Sequence, residues 1–377
     1  MRNFLSEFIL FLVKTLFECI SSRNIIYIKL IQWTFKERDY LPKSVNEYLN
    51  SFRDSAPFKN SDINWEVFDW VKDVASRNSE EIIINETPIN SGTISIVFEG
   101  KINGQDVIFK TKRKNIEEKF ENVEAFLRRI SNICKFFSGY NFESLIEKLN
   151  HSLKSQCDFK DEADKINLFH GKAKKYKKLN TIQCLKQYSN SDLLTMTRAE
   201  GVNPETLSND ELVNFQKIYF ASILFLFFSK GIVHSDIHYG NMLYHEGKLT
   251  FIDLGMVLSI NPEQTSDFQD IAFAAFGPVL EFPQVLKSKI HCFTDNKEHQ
   301  KIIIEYINDY VLEDHGSFGE NVSEIGKLLG SITSLTIPFK EELSISVILI
   351  LSVVRLNSEI KDDSIFATEF EKVKSFI

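Results

Sequence analysis

Residues Gly231–Gly255 read GIVHSDIHYGNMLYHEGKLTFIDLG, and this stretch decides the fold. It carries a loop aspartate (Asp236), an asparagine five residues on (Asn241) and a second aspartate two residues before a glycine (Asp253). Phosphoryl transfer needs a carboxylate to accept the proton of an incoming hydroxyl, and oxygen donors for the Mg²⁺ that bridges the phosphates. Asp236 suits the first task, Asn241 and Asp253 the second. Taken singly, such residues are caps and turn formers. Their setting favours chemistry: the loop follows the apolar run Tyr219–Phe228, and the two motifs flank a hairpin pattern, Leu243-Tyr244 and then Leu249-Thr250-Phe251-Ile252.

The chain has 377 residues, 43% of them hydrophobic and 25% charged, enough for two packed lobes with real cores. A formal net charge of −8 argues against a general polyanion binder, so no nucleic-acid partner is expected. The basic stretch Lys172–Lys178 reads as a solvated helix face. Five scattered cysteines (Cys19, Cys134, Cys157, Cys184, Cys292) form no CxxC pair, which suggests neither zinc nor a disulfide framework and fits the cytoplasm or another reducing compartment.

Residues 1–20 are apolar but carry Glu7, Lys14 and Glu18 largely on one side of a helix. That is amphipathic rather than transmembrane, and no secretory signal is expected. Interfacial membrane binding and packing against the protein both stay open at this point. The runs Phe220–Phe228 and 345–354 are short for a bilayer span and read as core helices.

Periodicity sets the organisation. Residues 1–80 look helical, with Val67, Trp70, Val71 and Val74 at helix spacing. From Glu81 to Lys112 the pattern turns strand-like, as Ile82–Ile84, Ile94–Phe98 and Val107–Phe109 are separated by turn signals at Asn90-Ser91-Gly92 and Asn103-Gly104. Helices are expected near 116–137, 142–154 and 161–178, strands near 181–185 and 193–197, and a mostly helical remainder from Leu207. Strands first, then helices, with a site at the junction, is the order of a two-lobed kinase. The expectation is an α+β, two-lobed protein-kinase-like fold: an N-terminal helical extension over 1–80, an N-lobe over 81–200 and a helical C-lobe over 201–377.

Such a site also needs a cation on the phosphates and a carboxylate to aim it. Lys110 in V-I-F-K, at a strand end, and Glu162 in Q-C-D-F-K-D-E-A are the candidates. The turn P-I-N-S-G-T-I-S-I-V, with the single glycine Gly92, stands where a typical protein kinase has G-x-G-x-x-G.

At this point the chain resembles the UbiB/AarF-type atypical kinase-like family associated with ubiquinone biosynthesis. K-L-I-Q-W-T-F-K-E-R-D-Y-L-P is similar to that family's K-x-G-Q signature followed by R-x-D-L-x-P, with Lys29 and Gln32 on the most telling positions. P-I-N-S-G-T-I-S-I-V resembles its alanine-rich or S-G-T-I-A-Q-V loop, and Q-C-D-F-K-D-E-A-D resembles E-x-D-F-x-x-E-A-N. L-L-T-M-T-R-A-E-G resembles its hinge, and H-S-D-I-H-Y-G-N with F-I-D-L-G-M resembles H-A-D-P-H-P-G-N with I-D-F-G-M. The likeness runs in order from about Ile25 to about Leu258.

The resemblance implies a helix covering the groove where a kinase places a peptide, ATP and Mg²⁺ as cofactors, and ATPase or small-molecule kinase activity coupled to isoprenoid-quinone biosynthesis at membranes. A lipid or quinone precursor and a membrane surface are the partners it suggests. By position, Lys110 contacts phosphates and Glu162 orients it. Ser91, Gly92, Thr93 and Met196 border the nucleotide. Asp236 is the catalytic aspartate, Asn241 and Asp253 hold Mg²⁺, and Lys29, Gln32 and Asp158 belong to the cover.

Several positions depart from the family pattern. Ile31 replaces the glycine of K-x-G-Q, Gln156 replaces the glutamate of E-x-D, Ile96 replaces the usual glutamine, and Tyr239 replaces the second proline of the loop. None is a phosphate or metal residue, so Mg-ATP binding is expected to survive. The leading reading is an Mg-ATP-dependent ATPase or phosphotransferase on a small or lipid-like substrate. The alternative is a non-catalytic, nucleotide-gated scaffold for membrane-associated biosynthetic enzymes. A conventional Ser/Thr kinase is disfavoured by the missing glycine loop and by Ser235 in place of arginine before Asp236.

Overall fold

The computed structural model describes residues 56–138, 154–259, 265–335, 337–340 and 368–372, with positions 14–15, 24–28, 44–45, 48, 143, 146–147 and 350; the side chains of 130 and 133–138 are excepted. Lys29, Ile31 and Gln32, nearly all of the amphipathic run 1–20, and the run 345–354 apart from Ile350 lie outside the described residues. So does most of the helix expected at 142–154.

In chain order the elements are α1 (Glu66–Arg77), β1 (Ile82–Ile84), β2 (Asn90–Ser91), β3 (Ser95–Ile102), β4 (Gln105–Lys112), α2 (Ile116–Ser138), α3 (Phe159–Ala173), β5 (Leu179–Asn180) and β6 (Leu193–Thr197). There follow α4 (Asn209–Lys230), β7 (Ile232–His234), β8 (Met242–His245), β9 (Lys248–Phe251), β10 (Val257–Ser259), α5 (Thr265–Ala275), α6 (Phe282–Ser288), α7 (Lys297–Asp309) and α8 (Phe318–Thr333). Two compact units result: Met1–Ile166 with Gln183–Arg198, and Asn167–Ile182 with Ala199–Ile377.

The first unit is built on an antiparallel sheet ordered β1-β3-β4-β6, with β2 added on β3. Asn103 and Gly104 turn the β3–β4 hairpin with φ of 50° and 80°, the left-handed pair a tight turn demands of Asn-Gly. Alternation then assigns the faces of β4. Val107, Phe109 and Thr111 are buried on one side, while Ile108 and Lys110 alternate with them. The sheet core meets α1, where Phe68 packs edge-on against Phe98 at 4.9 Å and Phe109 at 6.1 Å. Each such buried ring contributes roughly 1.5–3 kcal/mol of apolar burial. Gly100 on β3 is required by proximity: a Cβ there would stand 2.1 Å from the Ile83 carbonyl oxygen and 2.8 Å from the Phe109 ring.

The second unit centres on α4. Ser208 starts it, its N–H and hydroxyl donating to the Glu211 carboxylate at 3.2 and 2.6 Å. Gly231 ends it in the left-handed region at φ 60°, its N–H on the Phe227 carbonyl. Phe215, Tyr219, Phe220, Leu224, Phe227 and their neighbours bury the helix on nearly all sides. Among the described residues α4 alone is long and apolar enough to cross a membrane, yet 67% of its apolar window is buried within the protein, as in a core helix.

After Gly231 the chain enters β7, which pairs antiparallel with β10, His234 opposite Val257. The β8–β9 hairpin forms between them, turning at Glu246 and Gly247 with φ of 46° and 74°, and β5 joins β9 in parallel. The β7–β10 ladder is too short to show a period and was not expected. The helix expected over 161–178 stops at Ala173, so Lys172–Lys178 is not one helix face; past its end Tyr176 stacks on Phe225 at 4.1 Å.

Asp267, His291 and Cys292 bring three donor atoms within 4.8 Å of one another. Lys289 already binds this carboxylate at 2.6 Å and that of Asp270 at 2.7 Å, so the group is an ion-pair cluster. Burial pushes the Cys292 thiol up to about 11.

Candidate active site

In the first unit β4 carries Lys110 opposite Leu194 of β6 and Val97 of β3, and runs two residues beyond it because Thr111 still pairs with Leu193. Lys110 Nζ donates to Glu162 Oε1 at 2.6 Å and lies 5.7 Å from the centre of the buried Phe159 ring. The helix that aims Glu162 is capped by Asp158, whose Oδ1 accepts the N–H groups of Lys160 and Asp161 at 3.1 and 3.0 Å. Asp158, assigned to the cover by resemblance, thus has a local task; the cover residues Lys29 and Gln32 lie outside the described residues.

Ser91 and Thr93 are buried beside Gly92 in the β2–β3 turn. Met196 is buried on β6 opposite Ile108. The sequence reading overlooked Arg113, one residue past β4, whose guanidinium reaches the Gly92 carbonyl at 2.9 Å and the Ser91 hydroxyl at 2.8 Å. A lone arginine in the basic run Lys110-Thr111-Lys112-Arg113-Lys114 gives no sequence signal of burial.

In the second unit, pairing of β7 with β10 sets the H-S-D and D-L-G turns side by side. His234, buried on β7, joins them. Its Nδ1 accepts the Asp236 N–H at 3.2 Å, and its Nε2–H donates to the Asp253 carbonyl at 2.6 Å. Burial pushes the imidazole below its ordinary value of 6.5, against the pull of Asp253 and Asp236 towards the charged form, so the ring is neutral with its proton on Nε2. Phe251 stacks on this ring at 5.4 Å. No role was read for His234 in the sequence, although it stands in the quoted motif.

Asn241 donates its Nδ2–H to the Asp236 carbonyl at 3.0 Å, and its own carbonyl accepts the Ile252 N–H at 3.0 Å. The loop and the hairpin are therefore fastened at the residue expected to hold a metal. Asp253 Oδ1 accepts the Gly255 N–H at 3.1 Å, which fixes its carboxylate over the turn. Ser235, in the place of an arginine, bonds the Met256 carbonyl through both its N–H and its hydroxyl, at 2.9 and 2.8 Å. His238 Nε2 lies 3.7 Å from Asp236 Oδ2. Tyr239, where the family has proline, sets its ring edge-on to Phe215 of α4 at 5.4 Å. Asp236, Asn241 and Asp253 thus share one connected backbone framework, and Lys110 with Glu162 forms a direct pair.

The sequence profile of the ABC1 atypical kinase-like domain matches residues 63–278, more than half of the chain. The chain belongs to the ABC1 atypical kinase-like family. Over 273 residues it is 24% identical to an uncharacterized protein in the hydrogenase 1 5′ region of Clostridium pasteurianum, covering 70% of this chain and 51% of that protein. Over 270 residues it is 24% identical to the chloroplastic protein Activity of BC1 complex kinase 8 of Arabidopsis thaliana, covering 67% of this chain and 35% of that one. The chain thus spans about half the length of the first of these relatives and about a third of the second. Among solved structures it is similar in fold to Rv3197 of Mycobacterium tuberculosis, determined in complex with erythromycin. That match has a TM-score of 0.54 at 16% identity and covers 94% of each chain. The ABC1 membership agrees with the resemblance read from the motifs, and the α+β kinase-like fold with it.

Proposed function

We propose that this ABC1-family protein is an Mg-ATP-dependent phosphotransferase or ATPase acting on a small or lipid-like acceptor. The observation that carries the reading is the Lys110–Glu162 pair, 2.6 Å long and nearly buried. Burying a cation and a carboxylate is a poor route to stability and a good one to a fixed ammonium. Lys110 binds the α- and β-phosphates of ATP, and Glu162 holds it there.

The oxygen donors of Asn241 and Asp253 suit Mg²⁺, a hard cation that prefers carboxylate, carbonyl and water. Bound there it neutralises charge on the phosphates. Asp236 takes the proton of the acceptor hydroxyl as the new O–P bond forms and the bond to the ADP oxygen breaks; with water as acceptor the same step is hydrolysis. His234 keeps Asp236 and Asp253 in register through its two ring nitrogens.

A link to isoprenoid-quinone biosynthesis and to a membrane surface rests on the family resemblance, and a covering helix around Lys29 and Gln32 would favour acceptors smaller than a peptide. ATP consumption by the full chain, with and without liposomes and quinone-precursor-like phenols, tests the activity. Turnover that falls at least 100-fold in Asp236→Asn supports an enzyme. Nucleotide binding with no turnover in the wild type supports the scaffold reading instead.

A further inference from the structure

Arg113 lies three residues beyond Lys110, and its side chain is 0% exposed. A guanidinium is retained in such a place only where its donors are met. Nε donates to the Gly92 carbonyl at 2.9 Å, and Nη1 to Asp62 Oδ2 at 3.2 Å. Nη2 donates to Ser91 Oγ at 2.8 Å and to the Pro57 and Ala56 carbonyls at 3.0 and 3.4 Å. The counter-charge is fixed in turn: Asp62 also accepts from the Lys59 N–H at 2.9 Å and from Lys119 Nζ at 3.0 Å. Burial opposes ionisation of Asp62, but these donors and Arg113 hold it below the usual carboxylate range.

The side chain is therefore committed to protein partners, and two of them are consecutive residues of the β2–β3 turn. That turn is braced on the same side by the Ala56 N–H on the Ser91 carbonyl at 2.6 Å, and closed by the Gly92 N–H on the Ser95 carbonyl at 2.8 Å. A Cβ on Gly92 would meet only Ser95 atoms, at 3.7 Å or more. Its neighbours do not force glycine there, whereas a bare backbone suits the close approach of a phosphate.

We propose that Arg113 is a positioning residue for the nucleotide: without touching a phosphate, it clamps Ser91 and Gly92 from behind, with Asp62 as its anchor, and so sets the affinity for the phosphate groups. The inference rests on the Mg-ATP reading of the preceding section. Its chemistry is specific to arginine, because lysine keeps the charge but lacks the planar fork that reaches the Gly92 carbonyl, the Ser91 hydroxyl and Asp62 together. Loosening the turn lowers the fraction of molecules ready to bind, and the apparent Kd rises as the inverse of that fraction.

The test titrates Mg-ATP and adenosine calorimetrically into the full chain as wild type, Arg113→Lys and Ser91→Ala, and follows hydrogen exchange of the turn at 88–95. Arg113→Lys is expected to weaken Mg-ATP about tenfold or more and adenosine less than about twofold, with faster exchange in the turn. Ser91→Ala, which removes one acceptor, is expected to shift both readouts in the same direction by less. Equal weakening of ATP and adenosine, or unchanged exchange, would mark Arg113 as a merely structural residue and overturn the inference. Wild-type binding with unaltered affinity in Arg113→Lys overturns the inference alone. Failure of the wild type to bind Mg-ATP overturns the functional reading and the inference with it.

Discussion

Lys110 Nζ stands 2.6 Å from Glu162 Oε1, with the two side chains only 14% and 6% exposed. Removing either partner strands a charge in a poorly solvated place, which costs about 3–5 kcal/mol. Glu162→Gln and Lys110→Met are each expected to destabilise the fold in urea denaturation. The double variant Lys110→Met/Glu162→Leu is expected to recover most of the stability and none of the nucleotide affinity. Recovery of both would place the pair outside the nucleotide's path.

His234 gives a pH dependence. Its folded-state value lies below 6.5, so acidification protonates the unfolded chain first. Stability from this group is complete above pH 6.5 and is lost as the pH falls below it, at up to about 1.4 kcal/mol per pH unit. Melting of the wild type between pH 7.5 and 5.5 is expected to show this loss, and His234→Gln to show a shallower slope from a lower starting stability. Equal slopes would mean that the imidazole is not held neutral between Asp236 and Asp253.

Gly100 tests the sheet. A Cβ would fall 2.1 Å from the Ile83 carbonyl, a backbone atom that cannot swing aside. Gly100→Ala is expected to cost about 1–3 kcal/mol in chemical denaturation. Little or no loss would contradict the packing of β1 on β3.

Much of this was legible in the chain. Asn103-Gly104 and the alternation on either side of it announced the β3–β4 hairpin, and the flanking apolar run marked α4. The ordered motifs announced the ABC1 family. Lys110 and Glu162 could be paired by role although 52 residues separate them. What stayed hidden depends on non-local contact. The three-residue β7 and β10 carry no period, so the ladder that aligns Asp236 with Asp253 was invisible, and with it the part played by His234. Arg113 looked like one more cation in a basic run, because burial of a guanidinium is decided by carbonyls at Ala56, Pro57 and Gly92 that no motif names. Lys29, Ile31 and Gln32, which only the family resemblance assigns to a cover, lie outside the described residues.

Asp253 and its neighbours are proposed to hold a magnesium nucleotide. The most direct measurement is the thermal shift of the full chain with ATP, with and without Mg²⁺, for the wild type and for Asp253→Asn. The expected result is a Mg²⁺-dependent rise of several degrees in the wild type, as binding to the folded state requires at saturating ligand, and no rise in Asp253→Asn. A wild type that melts at the same temperature with and without Mg-ATP would contradict it.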